Sequence, residues 1–254
     1  MSSLKLLSDN EPPAVSIYNA QAAETSSILI LSDHASNRVP MVLDGLGLAG
    51  TSHLDEHIAV DIGAKDVTEY LADGLNAPAV MAEYSRLVID LNRDLARVDS
   101  IPSLSDGIEV PGNKTLSTAD KRARQDEIYH VYHDEITRQL ACPAIKTVIS
   151  VHSFTPVMNG RKRPTEIGIL WDGVADFPRR LIKALRENNP DRVIGDNTPY
   201  SFIDDGELNH TFYKHDVQKM PNPLLVEFRQ DLVDTPAKAA SMSKIFLESL
   251  DALL

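Results

Sequence analysis

The sequence predicts an α/β protein, a single three-layer α/β/α sandwich around a mixed, largely parallel sheet. Three observations carry that expectation. Apolar, mostly branched runs recur at residues 28–31, 147–151 and 224–228, the pattern of strands buried on both faces. Segments with apolar residues at helical spacing alternate with them. A close pair of runs, 79–82 and 87–91, is joined by the polar turn Tyr84-Ser85-Arg86, so the sheet is not purely parallel.

In chain order, residues 1–25 are polar and Pro-containing and are expected to wrap the surface. Residues 28–31 form the first buried strand. A helix is predicted over 52–75, where Ile58, Ile62, Val67, Leu71 and Leu75 recur at roughly helical spacing. Residues 79–82 and 87–91 read as strands. The stretch 99–114 is rich in Pro, Gly and Ser and lacks periodicity, which suits a binding loop. Ser117 or Thr118 caps a helix running to Leu140, with Asp120 in its first turn. Strands follow at 147–151 and 167–170, then a helix at 177–187 and a short strand near Val193. Residues 195–223 read as irregular, 224–228 as the last strand, and Thr235-Pro236 as the start of the terminal helix. No repeat or linker interrupts the chain, so residues 1–254 read as one domain.

Composition narrows the function. Hydrophobic residues make up 43% of the chain, enough for a sizeable core. The net charge of −12 argues against nucleic acid and anionic membrane as partners. A local arginine cluster still permits a small anionic substrate. One cysteine, Cys142, excludes an internal disulfide and a thiolate zinc site, so any metal must be held by His and carboxylate. No apolar run approaches the roughly 18 residues of a membrane span, and no secretory leader pattern opens the chain. A cytoplasmic protein is expected.

Two strand patterns deliver a histidine at their carboxyl ends: Ile28-Leu29-Ile30-Leu31 before Ser32-Asp33-His34, and Val148-Ile149-Ser150-Val151 before His152. In open α/β sheets that edge gathers ligands. A hydrolytic metal centre needs about three protein ligands and an open position. His34 and His152 supply two, and Asp55, Glu56 and His57 offer the third, although adjacent residues on a helix cannot all face inward. Acids in a helix's first turn are also favoured simply by its dipole. Asn92-Arg93, at the end of an apolar run, suits a carboxylate or a developing oxyanion, and Arg86 lies one strand-length earlier. A surface ion pair with Asp94 explains Arg93 equally well. Glu227 sits inside an apolar strand, where it is either paired, with Arg229 as the simplest partner, or chemically useful as a general base. Arg161-Lys162-Arg163 is a basic patch suited to clamping an anion or to solvation as a loop. The remaining histidines, His53, His130, His133, His210 and His215, read as surface positions.

Five segments together resemble the N-formylglutamate amidohydrolase family. They are Ser32-Asp33-His34-Ala35-Ser36-Asn37-Arg38-Val39-Pro40, Asp55-Glu56-His57-Ile58-Ala59-Val60-Asp61, Tyr84-Ser85-Arg86-Leu87-Val88-Ile89-Asp90-Leu91-Asn92-Arg93, Val151-His152-Ser153-Phe154-Thr155-Pro156 and Val226-Glu227-Phe228-Arg229-Gln230-Asp231. Their order matches the family's, and they span about residues 30 to 232. The resemblance implies a fold similar to zinc carboxypeptidases and a metal-assisted amide hydrolysis. It implies His34 and His152 as ligands of one divalent ion, zinc first among the candidates, with Asp55 as the chosen third ligand. It also implies Asn92 and Arg93 as substrate-binding residues and Glu227 as general base, with Arg86, Arg93 and Arg163 available to hold substrate carboxylates. Position 37, where the carboxypeptidase His-x-x-Glu motif has its acid, is Asn here, which marks a divergent branch. The expected substrate is a small N-acylated acidic amino acid, typified by N-formyl-L-glutamate. The alternatives are another N-acyl amino acid or small peptide, and a metal-free metabolite-binding module.

Overall fold

The apolar runs become strands of one seven-stranded sheet. The computed structural model describes residues 5–200 and 209–253. In chain order the strands are β1 (Val15–Tyr18), β2 (Ile28–Ser32), β3 (Ala79–Ala82), β4 (Thr147–Phe154), β5 (Ile167–Leu170), β6 (Ile194–Asp196) and β7 (Asn222–Arg229). Across the sheet they lie in the order β1-β3-β2-β4-β7-β5-β6. Strands β3, β2, β4 and β7 run parallel. β1 joins β3 antiparallel, β5 joins β7 antiparallel, and β6 runs parallel to β5. The sheet is therefore mixed and largely parallel, as the sequence predicts.

Both faces are covered, which is why the strand sequences are apolar throughout rather than alternating. Leu29 and Leu31 of β2 pack into one layer with Ile128, Tyr129, Tyr132 and Ile136. Ile128 and Tyr129 lie on a π turn (Gln125–Tyr129) and Tyr132 and Ile136 on α3 (His130–Leu140), which together continue α2 (Thr118–Arg124). Ile28 and Ile30 face the opposite layer, with Val67 and Leu71 of α1 (Ala64–Gly74), Leu181 and Leu185 of α4 (Asp176–Asn188), and Phe246 of the terminal helix. Each such fully buried side chain contributes about 1.5–3 kcal/mol relative to its exposed state. A short helix, α5 (His210–Lys214), precedes β7, and α6 (Pro236–Leu250) ends the fold. Both predicted caps are present: Ser117 forms a capping box with Asp120, and the Thr235 hydroxyl accepts from the Lys238 N–H. Among the described residues no helix is long and apolar enough to cross a membrane.

The structure departs from the sequence reading in four places. The N-terminal segment contributes the edge strand β1 and buries Leu6 and Ala14, so it is more than a surface wrap. The helix predicted over 52–75 starts only at Ala64, after a 3-10 turn at Thr51–Asp55 and further turns. Gly63 sets that start: its φ is +80°, and a Cβ there would collide with the Val233 carbonyl. Residues 87–91 are buried but form no strand. The Ser85 hydroxyl accepts from the Leu87 N–H, and the Ser85 carbonyl accepts from the Val88 N–H, which curls the chain into a turn. Side chains then satisfy the backbone: Asn113 donates to the Leu87 carbonyl and buried Arg124 to that of Val88. Finally, the helix over 118–140 contains the π turn. Of the irregular segment 195–223, residues 201–208 lie outside the described residues.

Candidate metal and catalytic site

The parallel core places the candidate residues near the carboxyl ends of neighbouring strands, the edge where such sheets bind ligands. His34 follows β2 by two residues, His152 lies on β4, and Glu227 on β7 sits directly beside His152 in register. Asp61 arrives from the turn before α1, where its N–H donates to the His34 carbonyl at 3.1 Å. His34, Asp61, His152 and Glu227 are all buried.

The two histidines present their Nδ1 atoms to one carboxylate oxygen. Asp61 Oδ2 lies 3.5 Å from His34 Nδ1 and 2.9 Å from His152 Nδ1. His34, Asp61 and His152 have their ligand-capable atoms within 4.8 Å of one another. The outer nitrogens are also engaged: His34 Nε2 shares a hydrogen bond with Asp90 at 2.8 Å, and His152 Nε2 with the Ser150 hydroxyl at 3.1 Å. Arg86 bridges the two acids, donating to Asp61 from Nη1 at 3.1 Å and to Asp90 from Nη2 at 3.0 Å. The buried atoms here without a hydrogen-bond partner include His34 Nδ1 and Glu227 Oε2. Two imidazoles and a carboxylate, with outer nitrogens fixed and one inner nitrogen unsatisfied, are a donor set that fits a divalent ion with an open position.

Burial and charge divide the titrating groups. Burial raises Asp61, but the adjoining His34 and His152 outweigh it and hold its carboxyl far below the usual range. Burial also raises Asp90, and Arg86 together with the charge and hydrogen bond of His34 more than offsets it, leaving that carboxyl well below its ordinary value. Burial lowers His152, yet the Asp61 hydrogen bond and charge prevail and bring it up to about 9. Glu227 goes the other way. Burial pushes it up to about 7 against the pull of His152.

A cavity of about 460 Å³ opens over these groups. Asn92 and Arg93 line it; the Asn92 side-chain oxygen accepts from the Thr211 N–H at 2.9 Å, and Arg93 donates to Asp99 at 3.3 Å. The loop 99–114 supplies Asp99, Pro102, Leu104, Ser105 and Asp106 to its wall. Arg163 lies behind that wall, donating to the Tyr200 hydroxyl at 3.0 Å, and Tyr200 itself faces the cavity. Arg161 and Lys162 form an exposed hairpin strand, the solvated arrangement. Glu227 is not paired with Arg229, which instead donates to Asp231 at 2.8 Å.

The structure does not bring Asp55 to the histidines. Asp55 accepts from Asn37 at 2.9 Å and lines a separate depression with Pro40 and Leu54. Glu56 pairs with His53, and His57 pairs with Asp106 on the outer cavity wall. The carboxylate between the histidines is Asp61, six residues further on, which sequence reasoning did not single out. Its signals were a place at the end of the family-like segment 55–61 and a lone acid between the short apolar run Ile58-Ala59-Val60 and Ile62. Asp90 was also missed, although it stands in an apolar run just as Glu227 does. His133 is buried rather than superficial, and its Nδ1 meets His215 Nε2 at 2.9 Å.

Comparisons with known proteins give the site a context. The chain matches the N-formylglutamate amidohydrolase family over residues 26–233. It is similar to a gene product of Agrobacterium tumefaciens of known crystal structure, with 30% identity, a TM-score of 0.87, and coverage of 98% of this chain and 97% of that one. A bacteriophage poly-gamma-glutamate hydrolase is 9% identical with a TM-score of 0.44, over 96% and 89% of the two chains. A cell shape determinant protein from Helicobacter pylori is 14% identical with a TM-score of 0.47, over 94% of this chain and 54% of the other. None of the curated proteins compared matches.

Proposed function

Since the chain belongs to the N-formylglutamate amidohydrolase family, we propose that it is a metal-dependent hydrolase of a small N-acylated acidic amino acid. N-Formyl-L-glutamate, cleaved to L-glutamate and formate, is the type substrate. One observation carries the reading: His34, Asp61 and His152 converge at the base of a cavity, beside a buried Glu227 oxygen with no partner.

His34, Asp61 and His152 would hold the ion, zinc being the metal that a nitrogen–oxygen donor set of this size commonly takes. When bound, a divalent ion supplies a Lewis acid and acidifies water. Glu227 takes the proton of the attacking water and delivers it to the leaving nitrogen, a task suited to a carboxylate raised to about 7. Arg86 is fixed by Asp61 and Asp90, so its positive charge borders the place where the acyl oxygen becomes negative. Asn92 and Arg93 orient the substrate carboxylate, and Arg163 acts through Tyr200 rather than by contact.

A second reading keeps the chemistry and enlarges the acyl group. The cavity of about 460 Å³ falls in the range of about 300–1,000 Å³ that accepts drug-sized ligands, and exposed Leu104 and Met158 stand at its mouth. The test is formate release from N-formyl-L-glutamate by chelator-stripped protein, with and without added zinc, beside His152→Ala. Zinc-dependent turnover that the variant lacks is the expected result. Zinc binding without formate transfers the case to longer N-acyl amino acids. Failure to bind any divalent ion removes the hydrolase reading in favour of a metabolite-binding module.

A further inference from the structure

Asp33 precedes His34 and, among the described residues, is as deeply buried as any charged group, at 1% exposure. One carboxylate oxygen accepts from the Tyr132 hydroxyl at 2.6 Å. The other has no hydrogen-bond partner and lies 3.8 Å from His152 Nε2. An unmade bond on a buried carboxylate is costly, so its direction is informative. The same nitrogen already touches the hydroxyl of Ser150, two residues back on β4. His34 shows the completed version of this arrangement, since Asp90 lies 2.8 Å from its outer nitrogen and is itself held by Arg86 and by the Asn92 N–H.

We propose that Asp33, held by Tyr132, is a positioning residue for His152. Its free oxygen, 3.8 Å from Nε2, draws the ring proton to that nitrogen by charge, leaves the Nδ1 lone pair for the ion, and thereby sets the affinity of the metal centre. The inference rests on the metal reading above and assigns Asp33 no contact with substrate. Tyr132 belongs to it because it is wholly buried and Asp33 takes its hydroxyl hydrogen. A carboxylate that serves only to satisfy that hydroxyl would leave His152 indifferent to its replacement. Partners of this kind typically change metal affinity 10–100-fold.

Asp33→Asn and Tyr132→Phe test the assignment in the full chain, with circular dichroism to verify folding. Zinc affinity, measured by competition with a chromophoric chelator, is expected to weaken about 10–100-fold in Asp33→Asn and less in Tyr132→Phe. In the metal-free protein the His152 Nε2–H proton resonance is expected to move upfield or exchange away in Asp33→Asn. Affinity within twofold of the parent together with an unchanged resonance overturns the proposal. If the parent itself binds no divalent ion, the proposed function fails, and the metal-free resonance alone decides the role of Asp33. Should Asp33→Asn not fold, Tyr132→Phe carries the affinity test, and parental affinity there overturns the proposal.

Discussion

Glu227 and Asp61 sit at the base of one cavity, and their neighbours drive them apart. Asp61 is surrounded by His34, His152 and Arg86 and stays ionised; for Glu227 burial outweighs the pull of His152 and brings it up to about 7. Its folded value therefore exceeds its unfolded one, so native protein binds more protons between pH 4.5 and 7. By linkage, Glu227's contribution to stability is greatest below pH 4.5 and is lost as pH rises through 7. Glu227→Gln in the metal-free protein is expected to raise Tm more at pH 8 than at pH 5, while turnover of the zinc-loaded form drops about 10²–10⁴-fold. Thermal melts at the two pH values and steady-state rates check both parts; an equal Tm shift at both pH values would count against the burial argument. Glu227 was legible because an acid inside an apolar strand demands an explanation. The same reasoning extends to Asp90 and would have found it. Asp61 was not legible, because a turn before a helix has no periodicity and the short apolar stretch around it, residues 58–62, matches neither a strand nor a helix pattern clearly.

Among the elements, strand ends carried the reliable information. His34 and His152 stand at the carboxyl ends of β2 and β4, where the sequence pattern puts them, because buried parallel strands are apolar until they meet the ligand edge and polarity returns abruptly. The run at 87–91 misled for a related reason: apolarity reports burial, and a turn whose carbonyls are met by Asn113 and Arg124 buries its side chains as fully as a strand does. Helix packing was legible only in outline. The π turn at Gln125–Tyr129 leaves no mark in the sequence, yet it stands between the Ser117 cap and the residues of α3 that bury Tyr132 and His133. His133 and His215 share one hydrogen bond, so one ring donates and the other accepts. Burial first, then each other's charge for His133 and that of Lys214 for His215, lowers the pair to about 2 and about 4. Both folded values lie below the unfolded one, so their contribution is complete above about pH 6.5 and is lost as pH falls toward 4. Acid should lower Tm between pH 7 and 5, and His215→Gln should reduce that slope by about one proton, as pH-dependent denaturant titration reads it. A slope unchanged by the substitution would show that the pair is not held neutral.

At the scale of the whole molecule, alternating strand and helix patterns made the α/β class readable, and the order β1-β3-β2-β4-β7-β5-β6 was not. Strand order depends on crossovers and on contacts distant in sequence. The motifs that suggested the family are likewise scattered across about 200 residues; they form one site only because the parallel core gathers β2, β4 and β7 side by side. The chain is acidic, with a net charge of −12, and it sets Arg86 and Arg93 on the cavity wall among Asp61, Asp90 and Asp99. The central claim is that the His34–Asp61–His152 cluster is a single divalent-metal centre. Zinc titration of chelator-stripped protein, with Asp61→Ala and Asp55→Ala compared with the parent, tests it most directly. The account predicts one ion per chain in the parent and in Asp55→Ala, each with a raised Tm, and loss of tight binding in Asp61→Ala. Unchanged zinc binding in Asp61→Ala, or its loss in Asp55→Ala alone, would contradict it.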